Sequence, residues 1–270
     1  MRSRFCKSSS PVVSKLSKSQ QRKLNRLRTF NAIQFMLESL ECRRLLTTSI
    51  WVVDTSLPTA RGDAAAISNS AGVELFGGST GGTSSSSSVL LLNPNNNLAS
   101  TKLSSMNQGL AGLAVGETGI GVSTSDGSNG DVFVYGGSSS GTPTKTVVNY
   151  STNDILNEAS MSVARAYFAH AVDPATGDLY AIGGLTTGSQ PVNSAEVYNP
   201  TTSSWSAIAP LPAALSGAAG ATDGAGHIFV FGGKTSAGAP VSTVYRYTIA
   251  TNTWDTQAPM PVAVSDATAV

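Results

Sequence analysis

The sequence predicts an all-β fold built from repeated four-stranded antiparallel units. Three observations predict it. A short apolar run ending in a glycine pair occurs four times, and the first glycines of successive pairs are 59, 47 and 49 residues apart. A period near 50 residues indicates one supersecondary unit per repeat. Charged residues make up only 12% of the chain, and the abundance of Gly, Ala, Ser, Thr and Val favours short strands and tight turns over helices.

Each glycine pair is expected to follow the second strand of its repeat. Glycine permits a backbone with positive φ and a close approach of the neighbouring unit, which a side chain would block. The four pairs are Gly77 and Gly78, Gly136 and Gly137, Gly183 and Gly184, and Gly232 and Gly233.

A second register of aromatic residues has the same period. Tyr198 precedes Trp205 by seven residues, and Tyr247 precedes Trp254 by seven. Both pairs follow a glycine pair, where large aromatic side chains would fill the widening space between neighbouring units. These two repeats are therefore the strong ones.

The two earlier repeats are degenerate, because they match this aromatic pattern less well. Leu92 and Tyr150 take the tyrosine position. The seven-residue spacing then predicts Ala99 and Asn157 at the tryptophan position.

The repeats resemble the Kelch consensus, most closely at Tyr198-Asn199-Pro200 with Trp205 and at Tyr247 with Trp254. The resemblance implies that residues 49–270 form a Kelch-type β-propeller of about four blades, each of four antiparallel strands. Residues 50–53 are expected as a lone outer strand, and residues 262–270 as a lone inner strand. These ends leave a blade incomplete, so we expect an open ring and a longer natural protein.

The inner strand of each blade is expected first in its repeat, where small side chains suit the crowded axis. The expected inner strands are residues 64–68, 109–115, 167–172 and 215–221. The Gly- and Ser-rich segment 77–88 is predicted to be a flexible connector. Residues 116–130 are predicted to be an inserted hairpin turn.

The first 48 residues form a separate basic leader. Eleven of the 17 Lys and Arg residues lie before residue 47, whereas the rest of the chain has 6 bases and 14 acids, a formal charge of −8. Apolar residues recur at helical intervals over residues 20–46. Residues 37–46 resemble the LEPR-xLL motif of surface and secreted proteins of planctomycete-type bacteria, with Cys42 where that motif usually has Pro. The resemblance implies export to the cell surface or the extracellular space.

Two other interpretations of the leader stay open. A solvated, partly disordered tail fits the charge run. A nucleic-acid arm is not favoured, because no aromatic residues interleave with the bases and no binding motif follows. No apolar run approaches the roughly 20 residues of a membrane span, so no transmembrane segment is expected.

Two enzyme classes are known among propellers of this type, and each needs a particular set of residues. Galactose-oxidase-like copper enzymes need two His, two Tyr and a Cys, but beyond residue 46 the chain has no Cys and only His170 and His227. Sialic-acid-processing propellers need clusters of Arg and acids at the axis. Only Arg61 and Arg165 occupy the position before an inner strand. We therefore predict no catalytic residue, no metal and no cofactor.

Arg61 and Arg165 are the candidate binding residues, at the mouth of the axial channel. The equivalent positions in the other repeats are Leu215 and Val264. Arg61-Gly62-Asp63 also spells an adhesion tripeptide, but the start of an inner strand explains it equally well.

The sequence thus predicts a secreted or cell-surface module that binds a protein or a glycan, with no nucleic-acid partner. The loops after the glycine pairs are expected to supply the contact surface. One alternative is a carbohydrate-active enzyme whose catalytic residues lie outside this chain. The other is a structural repeat segment of a larger surface protein.

Overall fold

The structure is a computed structural model and describes residues 57–69, 72–92, 100–103, 105–118, 131–150 and 155–269. The basic leader and the expected strand at residues 50–53 lie outside the described residues. Most of the predicted insertion at residues 116–130 does as well.

The described chain forms a β-propeller of four blades, each a four-stranded antiparallel sheet in sequential order. Blade one contains β1 (Ala65–Asn69), β2 (Gly72–Phe76), β5 (Val89–Leu92) and β6 (Ser100–Lys102). Blade two contains β7 (Ala114–Thr118), β8 (Asp131–Tyr135), β11 (Val147–Tyr150) and β12 (Ile155–Asn157). Blade three contains β13 (Ala169–Val172), β14 (Leu179–Ile182), β17 (Ala195–Asn199) and β18 (Ser204–Ile208). Blade four contains β19 (Ala219–Thr222), β20 (His227–Phe231), β21 (Val244–Thr248) and β22 (Thr253–Gln257).

The innermost strands β1, β7, β13 and β19 pack beside one another in chain order. Between β21 and β22 lies a single 3₁₀ turn, Ile249–Thr251. In the described part of the chain, no helix is long and apolar enough to cross a membrane.

Three blades carry an additional short hairpin directly after the glycine pair. The first hairpin is β3 (Ser79–Gly81) with β4 (Ser84–Ser85), the second is β9 (Ser138–Ser139) with β10 (Thr142–Pro143), and the third is β15 (Leu185–Thr186) with β16 (Gln190–Pro191). In blade four, Lys234 bridges Pro240 across the corresponding loop. We call the end of the blades that bears these segments the hairpin end. The flexible connector predicted at residues 77–88 is therefore wrong, because β3 and β4 pair there.

The core lies between the blades rather than within them. Phe76 of blade one packs with Val134 and Tyr150 of blade two, and Tyr180 of blade three packs with Val230 and Tyr247 of blade four. The second strand of blade three is buried along its whole length. Middle strands covered on both faces explain why the sequence shows continuous apolar runs there rather than alternation.

The strand predicted at residues 262–270 and the starts of the inner strands differ from the structure. Residues 262–269 form no strand, and only Val264 makes a bridge, to Val241. No second strand is described beside this segment, so it has nothing to pair with along its length. The four inner strands also begin one to five residues later than predicted, at Ala65, Ala114, Ala169 and Ala219.

The tryptophan position in the two degenerate repeats, blades one and two, also differs from the prediction. In the strong repeats, Tyr198 pairs with Trp205. In blade two, Tyr150 pairs with Ile155, not Asn157, so four residues separate the paired positions there, whereas six separate Tyr198 from Trp205. In blade one, Leu92 pairs with Ser100 rather than Ala99.

Candidate functional site

A circle of five backbone positions surrounds the axis at the hairpin end. Four of the five amides donate to the carbonyl of the residue one blade earlier: Gly112 to Asp63 and Tyr167 to Gly112, both at 2.9 Å, then Gly217 to Tyr167 and Asp266 to Gly217, both at 2.7 Å. All five residues have φ between 53° and 61°. The residues before each inner strand are thus used for this circle, which explains the late strand starts.

The glycine pairs lock each blade to the start of the next one. The second glycine of each pair donates its amide to a carbonyl two residues before the circle. The four acceptors are Leu110 at 2.7 Å, Arg165 at 2.9 Å, Leu215 at 2.8 Å and Val264 at 2.9 Å. A Cβ on Gly233 would lie 2.9 Å from both Ser216 O and the Ala218 side chain, so the contact requires glycine. Residues 264–266 therefore take the position at which a blade begins.

Tyr167 is the unusual member of the circle. Gly and Asp tolerate the left-handed backbone region, whereas a bulky side chain there is a conformational outlier. The ring lies against Gly112, where an added Cβ would be only 2.8 Å from it. The phenol donates to Asp63 Oδ2 at 3.3 Å, which ties blade three to blade one across the mouth. Burial raises the pKa of Tyr167, and the nearby carboxylates of Asp63 and Asp266 raise it further.

A cavity of about 160 Å³ opens at the centre of this circle, bordered by Asp63, Tyr167, Asp266 and His170. Asp266 is paired with Lys234 and accepts a hydrogen bond from the Ser265 hydroxyl at 3.1 Å. His170 lies deeper, on β13, with its ring edge-on to Tyr135 at 6.4 Å. Burial lowers the pKa of His170 to about 4, so its imidazole is neutral at physiological pH.

The predicted candidate Arg165 lies beneath the circle, and its side chain is fully buried. It donates to Gly183 O and Ser194 O, both at 2.8 Å, and to Glu196 Oε1 at 2.6 Å. Glu196 also accepts the Ser162 amide at 2.7 Å and the Ser162 hydroxyl at 2.6 Å. This network connects the start of blade three to its own second and third strands.

The other candidate, Arg61, occupies the same place in blade one. It donates to Gly77 O at 2.8 Å and to the Ser88 hydroxyl at 2.9 Å. Neither arginine borders the axial cavity. A ligand-binding role for them stays a prediction, and the contacts described here are with their own blades.

The sequence did not lead us to predict the cavity residues as binding residues, although it contains a repeat pattern that points to them. The five positions of the circle each lie two residues after the repeat position that Arg61 and Arg165 occupy, and they hold Asp, Gly, Tyr, Gly and Asp in chain order. Tyr167 is the exception, because the other four residues are Gly or Asp, which adopt positive φ more readily than a bulky residue does.

Among the residues that the structure describes, no group of three or more His, Cys, Asp or Glu side chains is placed to hold a metal ion. The two histidines lie far apart in the fold. His170 faces the axial channel, whereas His227 pairs with Asp223 at 2.8 Å in the β19–β20 turn, at the end opposite the hairpins.

Comparison with known proteins supports the repeats and the fold. Residues 166–212 and 218–261 match the Kelch motif family, so blades three and four are Kelch repeats. No curated protein sequence is significantly similar to the chain. Among solved structures, the chain is similar to the protein YjhT, with 16% sequence identity and a TM-score of 0.61 over 79% of this chain and 70% of that one. That likeness confirms the propeller fold.

Proposed function

We propose that this chain is a binding module that holds a protein or a glycan on the hairpin end of its propeller. The observation that carries the proposal is the arrangement at that end, where successive hairpins surround a mouth crossed by Tyr167. Rigid sheets with variable segments at one end are a common design for recognition. The Kelch repeats of blades three and four support an interaction role.

The rigidity of the backbone frame beneath the hairpins favours recognition over catalysis. The glycine pairs, the circle of five residues and the buried Arg165–Glu196 pair fix where each hairpin begins. The hairpin tips themselves are exposed, including Thr142, Thr187 and Ser189. A preorganised frame with exposed polar tips reduces the ordering cost of binding.

The proposal is tested by site-specific photocrosslinking on the full-length chain. A photoreactive residue is placed at Thr187 or Ser236 on the hairpin end, and at Thr251 or Ala225 on the opposite end. All four positions are exposed. On incubation with extracellular material from the source cells, adducts are expected from the first pair only. Equal adducts from both ends, or adducts from the opposite end alone, would overturn the proposal.

We also propose that the protein is exported to the cell surface or the extracellular space. The basic leader and its LEPR-xLL-like segment support this, as does the formal charge of −8 beyond residue 46. Cell fractionation of the protein with its native leader tests the proposal. Retention in the cytoplasm would contradict it.

A further inference from the structure

The gap between the first and second hairpins is closed. The Ser85 hydroxyl donates to Ser138 O at 3.1 Å, and the Thr83 side chain lies 3.5 Å from the Cβ position of Gly141. Ser138 O also accepts the amide of Ala111. The two hairpins therefore touch at Ser85 and Ser138.

The second hairpin has a different residue at the position that Ser85 occupies in the first hairpin. Ser86 and Thr144 are equivalent, because each donates its amide at 2.8 Å to the second glycine of its pair. The preceding residues, Ser85 and Pro143, are therefore equivalent too. Proline has no hydroxyl, so Pro143 cannot donate to Leu185 O as Ser85 does to Ser138 O.

An open groove of about 220 Å³ lies between the second and third hairpins as a result. Thr142 and Pro143 form one side, Leu185 and Thr187 the other, and Tyr167 lies at its inner end. The exposed hydroxyls of Thr142, Thr187 and Ser189 make no hydrogen bond to any residue that the structure describes. They are available to an incoming ligand.

The lining of the groove selects the chemistry of that ligand. No charged side chain borders it, so an anionic or cationic chain would find no ion-pair partner there. Hydroxyls both donate and accept hydrogen bonds, and a fixed aromatic ring offers a flat apolar surface beside them. Hydrogen-bonding groups combined with an aromatic face match a sugar, which has hydroxyls at its rim and C–H groups on its faces.

We propose that the groove between the second and third hairpins binds a segment of a neutral glycan, with Tyr167 as the aromatic platform. The inference rests on the proposed function, since it names the ligand class for one part of the hairpin end. The opening itself follows from one residue, Pro143, which stands where the first hairpin has a bridging serine.

The experiment uses the full-length chain on an array of neutral and acidic oligosaccharides, followed by calorimetry with a neutral oligosaccharide bound on the array. Pro143→Ser restores a hydroxyl that can bridge to Leu185 O and close the groove, so affinity is expected to fall at least tenfold. Pro191→Ser is the matched control: it makes the same change at the equivalent position of the third hairpin, outside the groove, and is expected to change affinity less than twofold.

A second variant tests the platform without disturbing the backbone. Tyr167→Asn removes the ring, and Asn tolerates the φ of +55° found at this position. A loss of neutral-glycan affinity of at least tenfold is expected, measured at a temperature at which thermal unfolding shows the variant to be fully folded. Array binding to acidic glycans only, no glycan binding, or equal effects of the two proline variants would overturn the inference.

The outcomes separate this inference from the proposed function. If photocrosslinks at Thr187 capture a protein and no glycan binds, the groove assignment is wrong and the hairpin end still stands as the binding face. If no adduct forms at the hairpin end and no glycan binds, both proposals are wrong.

Discussion

Arg165 is the largest side chain that is completely buried in the described structure. A buried guanidinium is tolerated because Glu196 neutralises its charge and two backbone carbonyls accept hydrogen bonds from it. Arg246 makes a comparable pair with Asp255, with contacts of 3.1 and 2.6 Å, on the exposed surface of blade four. The two pairs differ mainly in exposure to solvent, which makes them a natural comparison.

We expect Arg165→Leu to destabilise the protein by about 3–5 kcal/mol, because it leaves the Glu196 carboxylate buried without its partner. Arg246→Leu is expected to change stability little, as is usual for exposed ion pairs. Urea denaturation of both variants measures the difference. Similar losses for the two would show that the Arg165 network contributes no more than a surface pair.

His170 makes stability depend on pH. Its pKa is lowered by burial to about 4 in the folded protein, whereas an unfolded histidine titrates near 6.5. Between these values the unfolded chain binds more protons, so stability is retained above pH 6.5 and is lost as the pH falls toward 4. The ring borders the channel, which moderates the effect of burial. We therefore expect the free energy of unfolding to fall by about 1–3 kcal/mol over this pH interval.

The check is urea denaturation at pH 7 and pH 4.5 for the natural protein and for His170→Gln. The loss between the two pH values is expected to shrink in the variant. Carboxylates of the unfolded chain also begin to bind protons there, so part of the loss remains. Glu196 contributes to it: burial alone would raise its pKa, but hydrogen bonds from Ser162 and the charge of Arg165 hold the pKa low in the folded protein. An unchanged pH dependence would rule out the assignment to His170.

At the scale of elements, the inner strands approach one another so closely that single atoms matter. A Cβ on Gly220 of β19 would lie 2.4 Å from the His170 carbonyl of β13. The backbone at Gly220 is not in the positive-φ region, so the requirement for glycine is purely steric. Gly62 provides a contrast, since its Cβ position has nothing within 4 Å.

Gly220→Ala is therefore expected to destabilise by about 1–3 kcal/mol through overpacking, and Gly62→Ala to stay within about 0.5 kcal/mol of the natural protein. Thermal unfolding of the two variants distinguishes them. If Gly220→Ala proved neutral, the contact between β13 and β19 would have to be looser than its backbone distances indicate.

The strands were predictable where local pattern decides them. The second strands Asp131–Tyr135, Leu179–Ile182 and His227–Phe231 lie directly before their glycine pairs, as predicted, because an apolar run that ends at a glycine pair leaves little choice. The hairpin β3–β4 was missed because a Gly- and Ser-rich segment carries no strand periodicity. Its pairing depends on the neighbouring hairpin, through Ser85 and Ser138.

The candidate site was less predictable for the same reason. The sequence located the repeat position before each inner strand, and the circle lies two residues further on. That Tyr167 reaches Asp63, 104 residues away, follows from how the blades are arranged around the axis. No local pattern encodes that distance.

At the scale of the whole molecule, stability resides in the joints between neighbouring blades. Trp205 of blade three donates its indole N–H to Ala159 O, after blade two, at 2.9 Å. Trp254 of blade four repeats this bond to Ala209 O, after blade three, at 2.8 Å. In repeat architectures, stability is close to a sum of units and nearest-neighbour interfaces. Each tryptophan should then stabilise one joint and leave the other unaffected.

Trp205→Phe keeps an aromatic ring and removes the N–H donor, so the joint is expected to lose about 1 kcal/mol, the usual net contribution of one hydrogen bond. Amide hydrogen exchange should accelerate about fivefold at Glu158 and Met161, on the linker after blade two. Trp254→Phe is the matched control and should accelerate exchange at Leu211 instead. Equal acceleration throughout the propeller in both variants would show that the blades open as one cooperative unit, and the joints would then have no separate stability.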